Sequence, residues 1–287
     1  MGIYELSLAT VVCINIILSL GLNMITGFCG QISLGHAAFY GIGAYTAALL
    51  AKAGFSAMVS LPMAMIMAGM AGIIVGLTSL RVRHDFLAIT TMGAGFLFLG
   101  IVRQEDRFLG GELGISSIPS IGLDKAGYFF LVLFLAALAA AFSLYLKRSW
   151  MGFAFEAVAD DEDTAKMLSV DVPAYKLAAF AMGTAIAGLA GGLYAYFARF
   201  IVPDDFGFIT SITILSMVAV GGIGSIFGVV IATAILTLMP EFFRFIGDYK
   251  LLVYGILLFT VMRFAPDGLA GLGRLMFKRR AAKGEVL

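Results

Sequence analysis

Charge is what this sequence has least of. Only 13% of its 287 residues are Asp, Glu, Lys or Arg, against roughly 25% in an average soluble domain. A water-soluble globule of this length needs more polar residues than that to cover its surface. With 61% hydrophobic residues and a mean hydropathy of +1.01, the solvent for most of the chain is lipid. The net charge of +1 offers no basic excess of the kind that binds nucleic acid. There are two cysteines, Cys13 and Cys29, both in or beside apolar segments; they suggest neither a disulfide framework nor a zinc site. No Lys follows a glycine loop of the G-x-x-x-x-G-K-[ST] type, so nucleotide is not bound here through a Walker A motif. Paired Asn-Pro-Ala motifs and a TVGYG-like filter are missing too, which argues against an aquaporin or a potassium-type pore.

Glycine, in contrast, is abundant: 35 residues, about 12%, against roughly 7% on average. The glycines have no three-residue period and sit among Leu, Ile, Val, Phe and Met. In apolar helices glycine lets backbones approach closely, or lets a helix break beside protein or a cavity.

A bilayer core about 30 Å thick takes roughly 20 apolar residues at 1.5 Å each. Charge-free windows of that order are Leu6–Ile25, Leu34–Ala51, Ala57–Leu80, Phe86–Val102, Gly127–Leu146 and Leu177–Ala198. Leu6–Ile25 reads as a retained span, since no Lys or Arg precedes it and no small-x-small site follows. Shorter apolar stretches are Ile209–Gly222, Ile226–Met239 and Leu251–Met262, the first two parted only by Ile223-Gly224-Ser225. The basic runs, Arg274 to Lys283 and Arg81/Arg83, belong on the cytoplasmic side. Counting back from the tail, that rule also places the Lys147–Lys176 loop inside, provided Ile209–Met239 is two segments with a Gly-rich break. The expectation is an all-α polytopic protein with about nine spans (eight to ten) and the N-terminus outside.

No Asp, Glu, Lys or Arg falls within these spans, and His36 is the only residue in them that titrates near neutrality. Proton-driven carriers commonly hold an embedded carboxylate or histidine relay. Uphill transport by this chain would take its energy from elsewhere. A membrane hydrolase needs a nucleophile with a base, and no Ser or Cys pairs convincingly with His36 or His84.

The longest polar stretch is KRSWMGFAFEAVADDEDTAKMLSVDVPAYK, residues 147–176. Asp160, Asp161, Glu162 and Asp163 lead into Ala165, Met167, Leu168 and Val170, with Pro173 beyond. Acids in a first turn with an apolar face behind them describe a short helix stopped by proline. Glu156, Ala157 and Val158 extend it backward, Glu156 and Asp160 sharing a face. A solvated acidic linker is the plainer reading. Trp150, Phe153 and Phe155, just past the membrane exit, favour a loop anchored at the interface, and an anchored amphipathic helix facing water is a docking element. The following stretch AGLAGGLY, Ala187 to Tyr194, sets Gly188, Gly191 and Gly192 to one side, as tight helix packing requires.

Three stretches together carry a resemblance. GLNMITGFCGQISLGHAAFYGIGAYTAALL (Gly21–Leu50), AVADDEDTAKMLSVDVPAYKLAAFAMGTAIAGLAGGLYA (Ala157–Ala195) and VGGIGSIFGVVIATAIL (Val220–Leu236) resemble, in order, the signatures of LivM-type permeases of branched-chain amino acid ABC transporters. The resemblance implies one permease domain over residues 1–287 in a bacterial inner membrane, with the C-terminus cytoplasmic. It implies a second homologous permease, two ATP-binding cassette subunits that bind ATP and Mg, and a periplasmic substrate-binding protein. No cofactor or metal is expected in the chain itself. Carried over by position, ATPase coupling falls on Glu156, Ala157, Asp160, Asp161, Glu162, Ala165 and Leu168. The sequence departs from the pattern at Ala159, where a basic residue is common, and at Ser169, where a glycine usually supplies a left-handed turn. For the translocation path the resemblance points to Asn23, Gln31, Ser33, His36, Phe39, Gly41, Gly43 and Tyr45, with Thr90 and Thr91. Plainer roles stand beside these: His36 capping or bridging helices, Tyr45 packing, Asn and Gln bonding between helices. Alternatives of substrate and class are urea or short-chain amide import, and a stand-alone carrier or channel.

Overall fold

The computed structural model describes residues 2–79 and 84–242, and in the C-terminal stretch residues 255, 259, 263, 268 and 271 alone. The described chain is helical. Its only pairing of strand type, among the described residues, is an isolated antiparallel bridge between Ile115 and Ile201.

Helix α1 (Ile3–Leu22) runs on into a π-helical turn, Asn23–Phe28. A non-helical connector of residues 29–35 leads to α2 (His36–Lys52), then α3 (Ala57–Ser79) and α4 (His84–Gln104). A short α5 (Asp106–Leu109) and an extended loop precede α6 (Lys125–Arg148). Two short helices, α7 (Trp150–Asp160) and α8 (Glu162–Met167), make up the polar loop, followed by α9 (Val172–Ala198), α10 (Phe208–Gly221) and α11 (Ile226–Phe242). Among the described residues six stretches are long and apolar enough to cross a membrane: Ile3–Phe28, Ala57–Thr78, Phe86–Gln104, Lys125–Arg148, Val172–Ala198 and Pro203–Gly221. The expected spans Leu34–Ala51 and Ile226–Met239 form the 17-residue helices α2 and α11. The ninth, Leu251–Met262, lies outside the described residues, as do Arg81, Arg83 and the basic tail.

The Gly-rich break between α10 and α11 is present. Gly222 and Gly224 both have positive φ, 100° and 78°, a backbone region open to glycine at no steric cost.

Helix α9 is the hub, packed on α1, α2 and α3. Glycines make this possible. A Cβ on Gly21 would lie 2.6 Å from the Gly183 carbonyl oxygen, and one on Gly188 would lie 2.5 Å from that of Ala64. In lipid, where apolar burial drives no helix association, such backbone contact and interhelical hydrogen bonds hold the bundle. Ser60 and Tyr196 share a hydrogen bond of 2.6 Å, the Tyr128 hydroxyl donates to the Leu193 carbonyl at 2.6 Å, and Asn15 donates to Thr237 at 3.1 Å. AGLAGGLY lies in the second half of α9, within the expected span Leu177–Ala198. The helix begins fifteen residues earlier, at Val172, because Asp171 caps it and Pro173 occupies its first turn.

Large apolar side chains on the outer faces of α3, α4 and α6, such as Ile66, Ile74, Leu97, Ile101, Phe130 and Phe134, are exposed. On a bundle whose solvent is hydrocarbon these are the natural outer surface.

Candidate functional site

The polar loop folds as two helices at an angle, not as one continuous helix. Ser149 caps α7, its hydroxyl accepting the Gly152 N–H at 3.3 Å. Gly152, Phe155 and Val158, three residues apart, turn inward and are buried. Phe155 meets Tyr175 edge-on with ring centres 6.0 Å apart, so it packs within the protein and does not anchor the loop at the interface. Trp150 and Phe153 remain exposed, at 81% and 61%. The expected backward extension through Glu156 and Ala157 is helical, but the chain turns at Asp161, whose φ of −160° and ψ of 113° are extended. The reason is capping: the Asp161 carboxylate accepts the Thr164 N–H at 2.7 Å and starts α8. That bond holds the Asp161 carboxyl below its ordinary range, while the Asp163 carboxylate beside Lys166 raises the lysine.

Helix α8 stops at Ser169 and not at Pro173. Ser169 sits at φ 63°. Its N–H donates to the Lys166 carbonyl at 3.0 Å, and the Val170 N–H donates to that of Ala165 at 3.1 Å. This is a Schellman turn with serine in the left-handed position usually given to glycine. The turn expected of the family is therefore kept despite the substitution.

The seven coupling candidates divide. Glu156, Asp160, Asp161 and Leu168 are exposed, with Asp163 and Met167 beside them, while Ala157 is half-buried. Ala165 is buried at 1% exposure, and the Glu162 carboxylate forms an ion pair with Lys176, itself 7% exposed. Next to α7 is a recess of about 760 Å³, bounded by Lys147, Glu156 and Asp160 on one side and Ile223, Gly224 and Phe227 on the other.

Of the path candidates, Asn23, Gln31, Ser33, His36 and Thr91 lie in or near the connector of residues 29–35, while Phe39, Gly41, Gly43 and Tyr45 lie further along α2. Asn23, Gln31, Ser33, His36, Phe39, Tyr45 and Thr91 are each buried to 3% exposure or less. The Asn23 amide oxygen accepts the Gly224 N–H at 2.9 Å, joining the first helix break to the second. Gln31 donates to Cys29 sulfur at 3.3 Å and to the Lys176 carbonyl at 3.2 Å. The Thr91 hydroxyl accepts the Leu34 N–H at 3.0 Å, and Ser211 accepts that of Ala37 at 3.1 Å, so α4 and α10 hold the end of the connector. His36 packs against Gly21 of α1 and sits 6.4 Å, edge-on, from Phe39. Tyr45 belongs to an aromatic cluster with Phe98 and Phe206, their rings 5.8–6.4 Å apart. Gly41 faces Phe98, and Gly43 faces the backbone of Gly188. Thr90 stands apart on α4, half-buried, bonding back to the Phe86 carbonyl of its own helix. Sequence reasoning missed Lys176 and Ser211, because a partner in a distant helix leaves no local signal. Among the described residues, no group of three His, Cys, Asp or Glu side chains is arranged to hold a metal ion.

The sequence is similar to those of several transport permease proteins. The high-affinity branched-chain amino acid transport system permease protein LivM of Escherichia coli is 36% identical over 97% of this chain and 73% of its own length. BraD of Pseudomonas aeruginosa, a permease protein of the same kind of system, is 28% identical over 89% of this chain and 91% of its own length. LivH of Escherichia coli is 26% identical over 89% and 90%. No solved structure matches. Residues 4–262 match the family described as branched-chain amino acid transport system / permease component, and the chain belongs to that family.

Proposed function

We propose that this chain is the membrane-spanning permease subunit of an ATP-driven importer of branched-chain amino acids. It sits in the bacterial inner membrane, pairs with a second homologous permease, receives substrate from a periplasmic binding protein and is driven by two ATP-binding cassette subunits. Those subunits bind ATP and Mg; the chain itself catalyses no reaction. The substrate class is supported by the names of LivM and BraD, and the LivH likeness supports a homologous partner permease. The C-terminus and the loop of residues 147–176 face the cytoplasm.

The observation that carries the coupling role is the exposed outer face of α7 and α8. Trp150, Phe153, Met167 and Leu168 lie open there beside Glu156, Asp160, Asp161 and Asp163. Large apolar side chains ringed by charge are the usual make-up of a docking patch. Glu156, Asp160, Asp161 and Leu168 meet the ATPase, while Ala157, Glu162 and Ala165 shape that face from behind. Asn23, Gln31, Ser33 and His36 form the polar wall of the translocation path at the helix break. Phe39, Gly41, Gly43 and Tyr45 set its packing, with Thr90 and Thr91 on the adjoining helix. The test is the double change Asp160→Lys and Leu168→Asp in the assembled transporter. Loss of ATPase subunits on purification, together with loss of leucine uptake, is the expected result. Unaltered uptake would sink the docking assignment, and leucine flux through vesicles holding this chain alone would sink the importer reading.

A further inference from the structure

Glu162 lies in the acidic run of the docking loop, yet its side chain turns away from water. Its carboxylate is about one-fifth exposed and pairs with Lys176, whose side chain is nine-tenths buried in the first turns of α9. The flanking Asp160, Asp161 and Asp163 are exposed. A partner docking on the outer face meets those three and not Glu162.

What Glu162 reaches through Lys176 is the connector. The carbonyl of Lys176 accepts the Gln31 amide at 3.2 Å, and Gln31 is 1% exposed. One residue earlier, Gly30 sits at φ 70°, and a Cβ there would lie 3.1 Å from both Cα and Cβ of Ala159, on α7. So α7 touches the connector directly at Gly30, and α8 reaches the adjacent Gln31 through Lys176 of α9. A third tie runs from Lys147, at the end of α6, whose ammonium donates to the Gly224 carbonyl while the Gly224 N–H donates to Asn23.

The connector is irregular backbone held between helices. Residues 29–35 are non-helical, and irregular backbone at membrane depth persists only against protein or a water-lined space. Within it the Gln31 amide oxygen and the Ser33 hydroxyl are buried without a hydrogen-bond partner among the described residues. A displacement can give such atoms partners where a well-satisfied helix would only lose them. At its far end, Thr91 and Ser211 bond the backbone that leads into α2.

We propose that Glu162, Lys176 and Gln31 are positioning residues that transmit movement of the docked loop to the 29–35 connector, and that Glu162 makes no contact with the ATPase. This rests on the importer reading above. A push on α8 moves Lys176 through the ion pair, and Lys176 carries Gln31 through its carbonyl. Ala159 presses on Gly30 from α7 at the same time.

The experiment uses the complete transporter in proteoliposomes with its binding protein. It reads two quantities: ATPase subunits retained per permease, and leucine imported per ATP hydrolysed. For Glu162→Gln and for Gln31→Ala the expected result is full retention of the ATPase subunits and at least a tenfold fall in leucine per ATP. The exchange Glu162→Lys with Lys176→Glu, which restores the pair with its charges reversed, is expected to recover a third or more of the wild-type ratio. Loss of ATPase subunits from Glu162→Gln would make it a docking residue and overturn the inference. So would an unchanged ratio in both single variants, or an exchange variant no better than Glu162→Gln. If the wild-type assembly shows no ATP-dependent uptake, the importer reading itself falls, an outcome separate from all of these.

Discussion

Replacing Gly43 with alanine tests whether glycine here is used for contact between backbones. A Cβ at position 43 would stand 2.7 Å from the Gly188 carbonyl carbon, with the oxygen and Cα nearer still, where ordinary contact begins at 3.4 Å. Backbone cannot rotate aside as a side chain does, so α2 and α9 must separate by roughly an ångström. Overpacking of this kind costs about 1–3 kcal/mol, and the upper half of the range applies because α9 is also clamped by α1 and α3. At roughly 2–4 °C per kcal/mol for a chain of this size, the expected fall in Tm is roughly 5–10 °C, read as loss of the monodisperse species on heating in detergent. Two neighbours calibrate the result. Gly41→Ala meets the rim of the Phe98 ring at 2.5 Å; the ring can turn, and the expected cost is about 1 kcal/mol. Gly93→Ala meets nothing within 4 Å and should match or slightly exceed the wild type, since alanine favours helix over glycine by about 1 kcal/mol. A Gly43→Ala variant that melts with Gly93→Ala would refute the reasoning.

Ser169→Gly should stabilise the α8 turn by about 0.5–1 kcal/mol, because relief of the left-handed conformation, about 1–2 kcal/mol, outweighs glycine's added chain entropy; slower amide exchange at Ser169 and Val170 would show it. Thr91→Val removes the acceptor of the Leu34 N–H and should cost about 1–3 kcal/mol for the buried group left unpaired, seen as a lower Tm. With its folded pKa depressed by the Thr164 N–H, the Asp161 cap contributes above the ordinary carboxylate pKa of about 4 and fades as pH falls through the lowered value. Lys166, raised by Asp163, contributes below the ordinary lysine pKa and fades as pH rises through its raised value. Amide protection in α8 should therefore stay flat through neutral pH and weaken in acid, and an Asp161→Asn variant should lose most of the acid dependence.

Hydropathy made the long helices legible, since runs such as Lys125–Arg148 admit no other reading in lipid. The α10–α11 break was legible too, because Gly222 and Gly224 flank a point where two short helices fit the charge pattern better than one. Orientation about each helix axis was not. Lipid and protein interior are equally apolar, so the sequence of α2 carries no stripe to say that His36, Phe39 and Tyr45 turn inward. Glycine spacing is the surviving signal, and on α9 it did mark the packed face.

The docking loop shows the other limit. Its helical and acidic character is local and was readable; the turn at Asp161, where a capping bond to Thr164 outweighs continuity of the helix, and the stop at Ser169 were not. Which acid faces inward is not local. Asp160, Asp161, Glu162 and Asp163 are four like charges in a row, and any one of them could have met Lys176, fourteen residues beyond Glu162. The angle between α7 and α8 decides it, and the Asp161 cap sets that angle. The same bond that interrupts the helix thus chooses which carboxylate pairs within the membrane domain and which three are left to face water. An Asp161→Ala change should consequently act on coupling as well as on docking, by letting α8 rotate and loosening Glu162 from Lys176. Its signature would be a lower leucine-to-ATP ratio in the ATPase-bound fraction. An Asp161→Ser variant, which keeps a capping oxygen without the charge, should restore the ratio. If Asp161→Ser is as poorly coupled as Asp161→Ala, the cap is not what sets the pairing.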